Sequence, residues 1–321
     1  MPSRYTISTR DLTIEFADNS ETADRRAGMN GVVVRHRSDA APLFVPGLAG
    51  LNYEHVFDGQ QDDRELHFEP RRAQCALQPL GGSRVLAAIP ATDGAGVVLD
   101  WPPTPQWGLA TRITLRVVEP DMVDAEYGFT PTRRSSQGDL LGVFFADYIN
   151  QPEELGYKFW GHDAAGSDNT MTGQASSPGR GGAEGGAERV IAYASSEHGV
   201  LSTHRWANEP DYPPMGAISA HWMYASFSPY VFTRPYFWGE VRGLTALWMF
   251  DPPAGGAPPE GLRIAHSPSG GGAGNPAWDY IFLMPGYEVG RAYRWRSRLV
   301  YREMADAVTE SARAYHEWMT P

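Results

Sequence analysis

An all-β fold is predicted for this chain of 321 residues by three features. Its apolar residues recur with period two in short segments. Its 35 Gly and 26 Pro punctuate those segments as turns. Helical periodicity is almost absent until the C-terminus.

The segments follow in order. Tyr5-Thr-Ile-Ser-Thr and Leu12-Thr-Ile-Glu-Phe16 alternate, and Gly31–His36 is a β-branched run. Thr111–Val118 places Ile113, Leu115 and Val117 on one face. After Glu119-Pro-Asp a second strand, Met122–Phe129, completes an antiparallel hairpin. Leu140–Tyr148 is nearly continuously apolar, as a strand buried on both faces should be. Gly243–Phe250, Ala277–Met284 and Tyr293–Tyr301 read the same way. From 302 to 319, Ala305, Val308, Ala312, Tyr315 and Met319 recur at three- and four-residue steps, predicting one amphipathic C-terminal helix. Residues 164–188 are rich in Gly, Ser and Ala and are expected to form a mobile surface loop. Strands on either side read alike, so residues 1–321 are expected to form a single domain of two large packed sheets.

Composition excludes several function classes. The net charge is −11, with no basic block, which argues against nucleic acid. Lys158 is the only lysine, which leaves one side chain for Schiff-base chemistry. Cys75 is the only cysteine, so internal disulfides and cysteine zinc sites are excluded. No Walker-type Gly-Lys-Ser/Thr, dinucleotide Gly-x-Gly-x-x-Gly between strand and helix, or Gly-x-Ser-x-Gly elbow is present. The N-terminus lacks a signal-like apolar stretch and no window reaches membrane length. A cytoplasmic protein without membrane contacts is therefore expected, with self-association into a homo-oligomer left open.

Residues 206–250 hold 12 aromatics, about twice the density of the whole chain. Most should be core, with three or four rings left for a ligand. The run is flanked by the polar groups that could move protons. His198 and His204 lie six apart, which in a continuous strand puts both on one face; Arg205 and Trp206 follow. Downstream, a Gly-rich loop runs from Ser267 into Asn275, Trp278 and Asp279, where a ring can stack on a sugar and a carboxylate can accept from its hydroxyls. In Gly50–Gly59, Asn52 and Glu54 share one face of an extended segment, and Glu54 adjoins His55 as a second acid/base pair. Asp147 and Tyr148 close the buried strand that ends near Asn150. Lys158, His162 and Asp163 form a weaker cluster.

Flat apolar faces interleaved with imidazole, guanidinium and carboxylate suit a carbohydrate. The expectation is an acid/base enzyme acting on a sugar, an epimerase or a lyase, with a uronate or oxidised sugar favoured by the arginines. His204 or His198 would donate the proton, and Asp279 or Glu54 (with His55) would accept it. Arg205, Trp206, Trp278, Asn275, Asp147 and Tyr148 would bind substrate. No organic cofactor is expected. Two rivals remain: a non-catalytic sugar-binding module, and a metal enzyme in which His55, His198 and His204 hold a divalent ion.

Thr111–Pro131, with its strand, turn and second strand, resembles a segment of galactose-mutarotase-like sugar proteins. Pro285–Tyr301 looks like the closing strand of that fold, a double β-sandwich called a supersandwich. The blocks at His198…His204-Arg and Ser267…Asp279 are similar to bacterial proteins linked to sugar catabolism. The resemblance implies a large antiparallel double sandwich. It also implies a mid-chain His as general acid, at His204 or His198, and a late carboxylate as general base, at Asp279. Mutarotases carry a Glu in a different local context at that late position.

Overall fold

In the strands that face solvent on one side, alternating sequence becomes alternating burial. The computed structural model describes residues 4–17, 32–48, 50–51, 53–57, 76–79, 95–103, 108–134, 140–164, 186–209, 226–251 and 261–320. Strands β1 (Arg4–Ser8), β2 (Leu12–Ala17) and β3 (Val32–His36) form a three-stranded antiparallel sheet. In β2, Leu12, Ile14 and Phe16 are buried while the residues between them are not, as the 2.0-residue period requires.

Next come β4 (Tyr53–Phe57), β5 (Ala76–Pro79), β6 (Ala95–Trp101), β7 (Leu109–Val118), β8 (Met122–Pro131) and β9 (Leu140–Tyr148). They are followed by β10 (Tyr157–Asp163), β11 (Arg189–Tyr193), β12 (Thr203–Trp206), β13 (Phe227–Val241) and β14 (Leu244–Phe250). The last strands are β15 (Leu262–Ser267), β16 (Ala277–Pro285) and β17 (Tyr293–Arg302), and α1 (Ala307–Met319) closes the chain. By hydrogen bonding, these fourteen strands run β4-β9-β16-β15-β12-β13-β14-β17-β8-β7-β6-β5, with β10 on β13 and β11 on β10. The hairpin expected at 111–129 is β7–β8, in register from Leu109↔Pro131 to Val118↔Met122.

The 15-residue β13 makes the corner. Its first part pairs in parallel with β12, through Thr203↔Phe227 and Trp206↔Phe232. Its last part pairs antiparallel with β14, from Tyr236↔Met249 to Val241↔Leu244. The arm β12-β15-β16-β9-β4 and the arm β14-β17-β8-β7-β6-β5 leave this strand and fold over one another as a sandwich. Their inner faces meet in aromatic contacts: Trp248 with Trp278 (centroids 5.9 Å), Phe250 with Tyr280 (5.1 Å) and Tyr127 with Phe145 (4.9 Å). Tyr127 bridges Tyr280 and Ser297 through hydroxyls, 2.9 Å to each, so these three hydroxyls are satisfied. Gly239 admits the Trp278 indole; a Cβ there would sit 2.1 Å from the ring.

Helix α1 lies on the outer face of β13, β14 and β17, covering Tyr236, Trp238, Leu247, Met249 and Val300 with Ala314 and its neighbours. Asp306 caps its N-terminus by accepting from the Thr309 N–H (3.2 Å). The helix begins at Ala307 rather than 302 because β17 continues to Arg302. No helix among the described residues is long and apolar enough to cross a membrane. The expected Gly-rich loop falls mainly on residues 165–185, outside the described residues, as do Asn52 and Cys75.

Candidate functional site

In the arm β12-β15-β16-β9, the ladder register decides which polar residues meet. His204 pairs with Ile264, Ile264 with Tyr280, and Tyr280 with Phe145. Their side chains point into the sandwich. The adjoining row runs Thr203, Ala265, Asp279, Ala146, and alternation turns it to the opposite, outer face.

The inner face therefore takes several of the candidates. His204 is buried among Phe159 (4.5 Å between ring centroids), Tyr193 (4.4 Å) and Tyr157 (5.9 Å). Its Nδ1–H donates to the Tyr230 carbonyl (3.3 Å), leaving Nε2 as the unprotonated nitrogen. Burial pushes its pKa down to about 3, so the imidazole is neutral at physiological pH. His266 is buried beside it. The Ser195 N–H donates to His266 Nδ1 (3.1 Å), and His266 Nε2–H donates to the Leu155 carbonyl (2.9 Å). Burial lowers its pKa to about 4. The Trp278 indole N–H donates to that same Leu155 carbonyl (2.8 Å), so Trp278 is a core ring rather than a stacking floor. Asp147, opposite Trp278 in the ladder, also faces inward. It accepts from the Leu51 N–H (2.7 Å), and burial raises its pKa to about 7. Trp206 packs on the core against Phe232 (5.2 Å).

These positions correct the pairing of His204 with Asp279: the two side chains leave the sheet on opposite faces. They also correct the grouping of His198 with His204 for a metal. Among the described residues no group of three or more His, Cys, Asp or Glu could hold a metal ion. The even spacing from 198 to 204 does not keep both residues on one face. Gly199 (φ 80°) and Leu201 (φ 48°) take left-handed backbone, and β12 starts only at Thr203.

The outer face of the same arm collects a different set. His198 Nδ1 lies 2.6 Å from Ser267 Oγ. Ser267 pairs with Ala277, two residues before Asp279, making Ser267 and Asp279 diagonal neighbours roughly 7–8 Å apart. Asp279 sits in a row of small residues, with Ala265 on one side and Ala146 on the other, and is 1% exposed. Arg205 and Arg263 share this face. Arg263 makes a bidentate pair with Glu209, at 2.5 Å and 3.3 Å, with both side chains buried. The guanidinium carbons of Arg205 and Arg263 lie 4.4 Å and 5.0 Å from the Phe227 ring centroid. Burial holds the His198 pKa below its ordinary 6.5, so at neutral pH its ring is a base.

Tyr148 lies on this face at the strand end, under Gly270, where a Cβ would be 3.1 Å from its ring. Asn275 shapes the loop instead: its Oδ1 accepts from the Gln151 N–H (3.1 Å) and its Nδ2 donates to the Gly271 carbonyl (3.3 Å). Glu54 and His55 lie on β4, with His55 paired to Phe144 at the arm's edge. Sequence reasoning missed Thr203, Arg263, Glu209 and Ser267. A charged Arg263 between Leu262 and Ile264 was the available signal.

No protein-family model and no curated protein matches the chain. Among solved structures, an alpha-N-acetylgalactosaminidase from Bifidobacterium bifidum, in complex with GalNAc, aligns with a TM-score of 0.50 at 12% identity. That alignment covers 98% of this chain and 39% of the other, so the chain spans about two fifths of that protein's length. A galactose mutarotase related enzyme from Lactobacillus acidophilus aligns with a TM-score of 0.49 at 8% identity, over 94% of this chain and 98% of that one. At these identities the likeness is one of fold. In fold, the chain is similar to that part of the N-acetylgalactosaminidase.

Proposed function

We propose that this protein is a carbohydrate-active enzyme working by general acid/base catalysis on the outer face of β12-β15-β16-β9. One observation carries the reading: a solvent-exposed imidazole on Ser267 and a buried carboxylate share one patch floored by alanines, with a guanidinium beside them.

His198 is the proton acceptor. With a pKa below 6.5 it is neutral at pH 7 and can take a proton from a sugar hydroxyl or from carbon. Ser267 fixes the imidazole by holding Nδ1, which directs Nε2 to the substrate. Asp279 is the second proton-handling group. Arg205 holds a hydroxyl or carboxylate, and the buried Arg263–Glu209 pair fixes Phe227 and hence Arg205. This equipment serves epimerisation of a sugar, or elimination from a uronate in which the base takes the proton next to the carboxylate. The fold's occurrence in the GalNAc-bound N-acetylgalactosaminidase supports a sugar as the ligand class.

A panel of aldoses, uronates and keto-sugars tests it. Exchange between sugar isomers is followed by NMR, and elimination by ultraviolet absorbance of the unsaturated product. His198→Ala and Asp279→Asn should each lower kcat/KM by about 100-fold or more. Full activity in both variants would falsify the assignment.

A further inference from the structure

The other arm carries a site that the catalytic reading does not use. The outer face of β6-β7-β8-β17 is hollowed into a cleft of about 1060 Å³. That volume is at the upper end for small-molecule sites.

Four guanidiniums line this cleft, from Arg112, Arg291, Arg294 and Arg296, against the three carboxylates of Asp100, Glu126 and Asp251. Arg112, Arg291 and Arg296 pair with Asp100, Glu288 and Asp251, which leaves Arg294 as the arginine of the cleft without an ion pair among the described residues.

The ladder register gives the cleft a centre. One row runs Asp100, Arg112, Gly128, Arg294. Arg112 and Arg294 lie two strands apart, about 10 Å between backbones, on either side of a glycine. A glycine inside a strand costs stability and marks close approach of another group. Nothing among the described residues makes that approach here. A Cβ on Gly128 would meet only the Arg112 carbonyl oxygen, at an ordinary 3.7 Å. The space above it is open, with a guanidinium at each side.

Both arginines are reachable from solvent. Arg294 is exposed and has no ion pair among the described residues. Arg112 pairs with Asp100 at 2.5 Å, but its side chain is 62% exposed. Such surface pairs contribute little and re-partner readily.

The geometry points to an anion clamp over Gly128, in which Arg112 and Arg294 hold a carboxylate or sulfate carried by an acidic oligosaccharide. Planar guanidiniums match either group bidentately. In the next row Glu126 and Arg296 lie side by side; Glu126 would accept from the hydroxyls of an adjoining sugar unit, and Arg296, whose Nε donates to Asp251 (2.6 Å), would donate through its terminal nitrogens. The saccharide part rests on the carbohydrate reading above; the anion clamp does not.

Calorimetric titration tests it with four probes: a uronic-acid oligosaccharide, its neutral methyl ester, a sulfated oligosaccharide and inorganic sulfate. The acidic and sulfated oligosaccharides should bind, and the methyl ester at least ten-fold more weakly. Arg294→Ala should weaken binding about ten-fold or more. Gly128→Val should abolish it; a β-branched residue suits the strand and meets no clash, and an unchanged melting curve checks the fold. Both variants should keep the turnover of small sugars, whereas His198→Ala should keep cleft binding, so the two sites fail separately. Equal binding by wild type, Arg294→Ala and Gly128→Val would overturn the clamp. Arginine-dependent sulfate binding with no preference between the acidic and neutral oligosaccharides would overturn the saccharide assignment.

Discussion

Burial disfavours the charged form of three titratable groups on one face of the β12-β15-β16-β9 arm. His204 and His266 have pKa values lowered to about 3 and about 4, and Asp147 has one raised to about 7. The signs of their linkage differ. The unfolded chain binds a proton on each histidine below about 6.5, which the folded chain refuses, so each costs stability as pH falls from there. Asp147 costs stability as pH rises from its unfolded value toward 7, because only the unfolded chain ionises it. Asp147→Asn keeps the acceptor for Leu51 N–H and should therefore stabilise the protein at pH 8. The gain should shrink at up to about 1.4 kcal/mol per pH unit below pH 7 and vanish near pH 4, read from denaturant midpoints. A gain independent of pH would show that the carboxyl does not titrate in the fold. On the outer face, kcat/KM should fall with decreasing pH through a value below 6.5 set by His198, and His198→Gln should remove that limb. Part of this was legible in the sequence. His198 and Asp279 stood out as polar residues beside aromatic and glycine-rich segments. His204, Trp278 and Asp147 were misplaced because sequence spacing does not say where a strand begins, and left-handed backbone at Gly199 and Leu201 resets the parity before Thr203.

At the scale of elements, each long alternating run is a strand, and the C-terminal apolar stripe is a helix. The stripe's target was not legible. Tyr236, Trp238, Leu247 and Met249 read as ordinary core, yet they form the outer face that α1 covers. Deleting residues 304–321 should expose that face, increasing binding of an apolar dye and promoting aggregation. A truncated chain that stays monomeric and dye-silent would mean the helix is dispensable. On the inner face, Gly239→Ala drives a methyl into the Trp278 indole and should cost about 1–3 kcal/mol by overpacking, measured by urea denaturation.

For the whole molecule, the aromatic run that separates the two polar flanks is largely the corner of the sandwich. Of its described part, Phe232, Tyr236, Phe237, Trp238, Trp248 and Phe250 are buried, and Phe227 meets the arginines of the outer face. The parallel pairing of β12 with β13 makes that corner. No local pattern announces it, because it joins segments through residues far from either strand's own alternation. The consequence is functional: one arm turns His198, Ser267 and Asp279 outward, and the other turns Arg112 and Arg294 outward over Gly128. The central claim is that sugar chemistry belongs to the outer face of the first arm and not to the histidines inside the sandwich. NMR of the histidine ring protons during titration with a sugar that the protein turns over tests this most directly. The His198 resonance should shift on binding, while those of His204 and His266 stay fixed. Movement of His204 with a stationary His198 would contradict it.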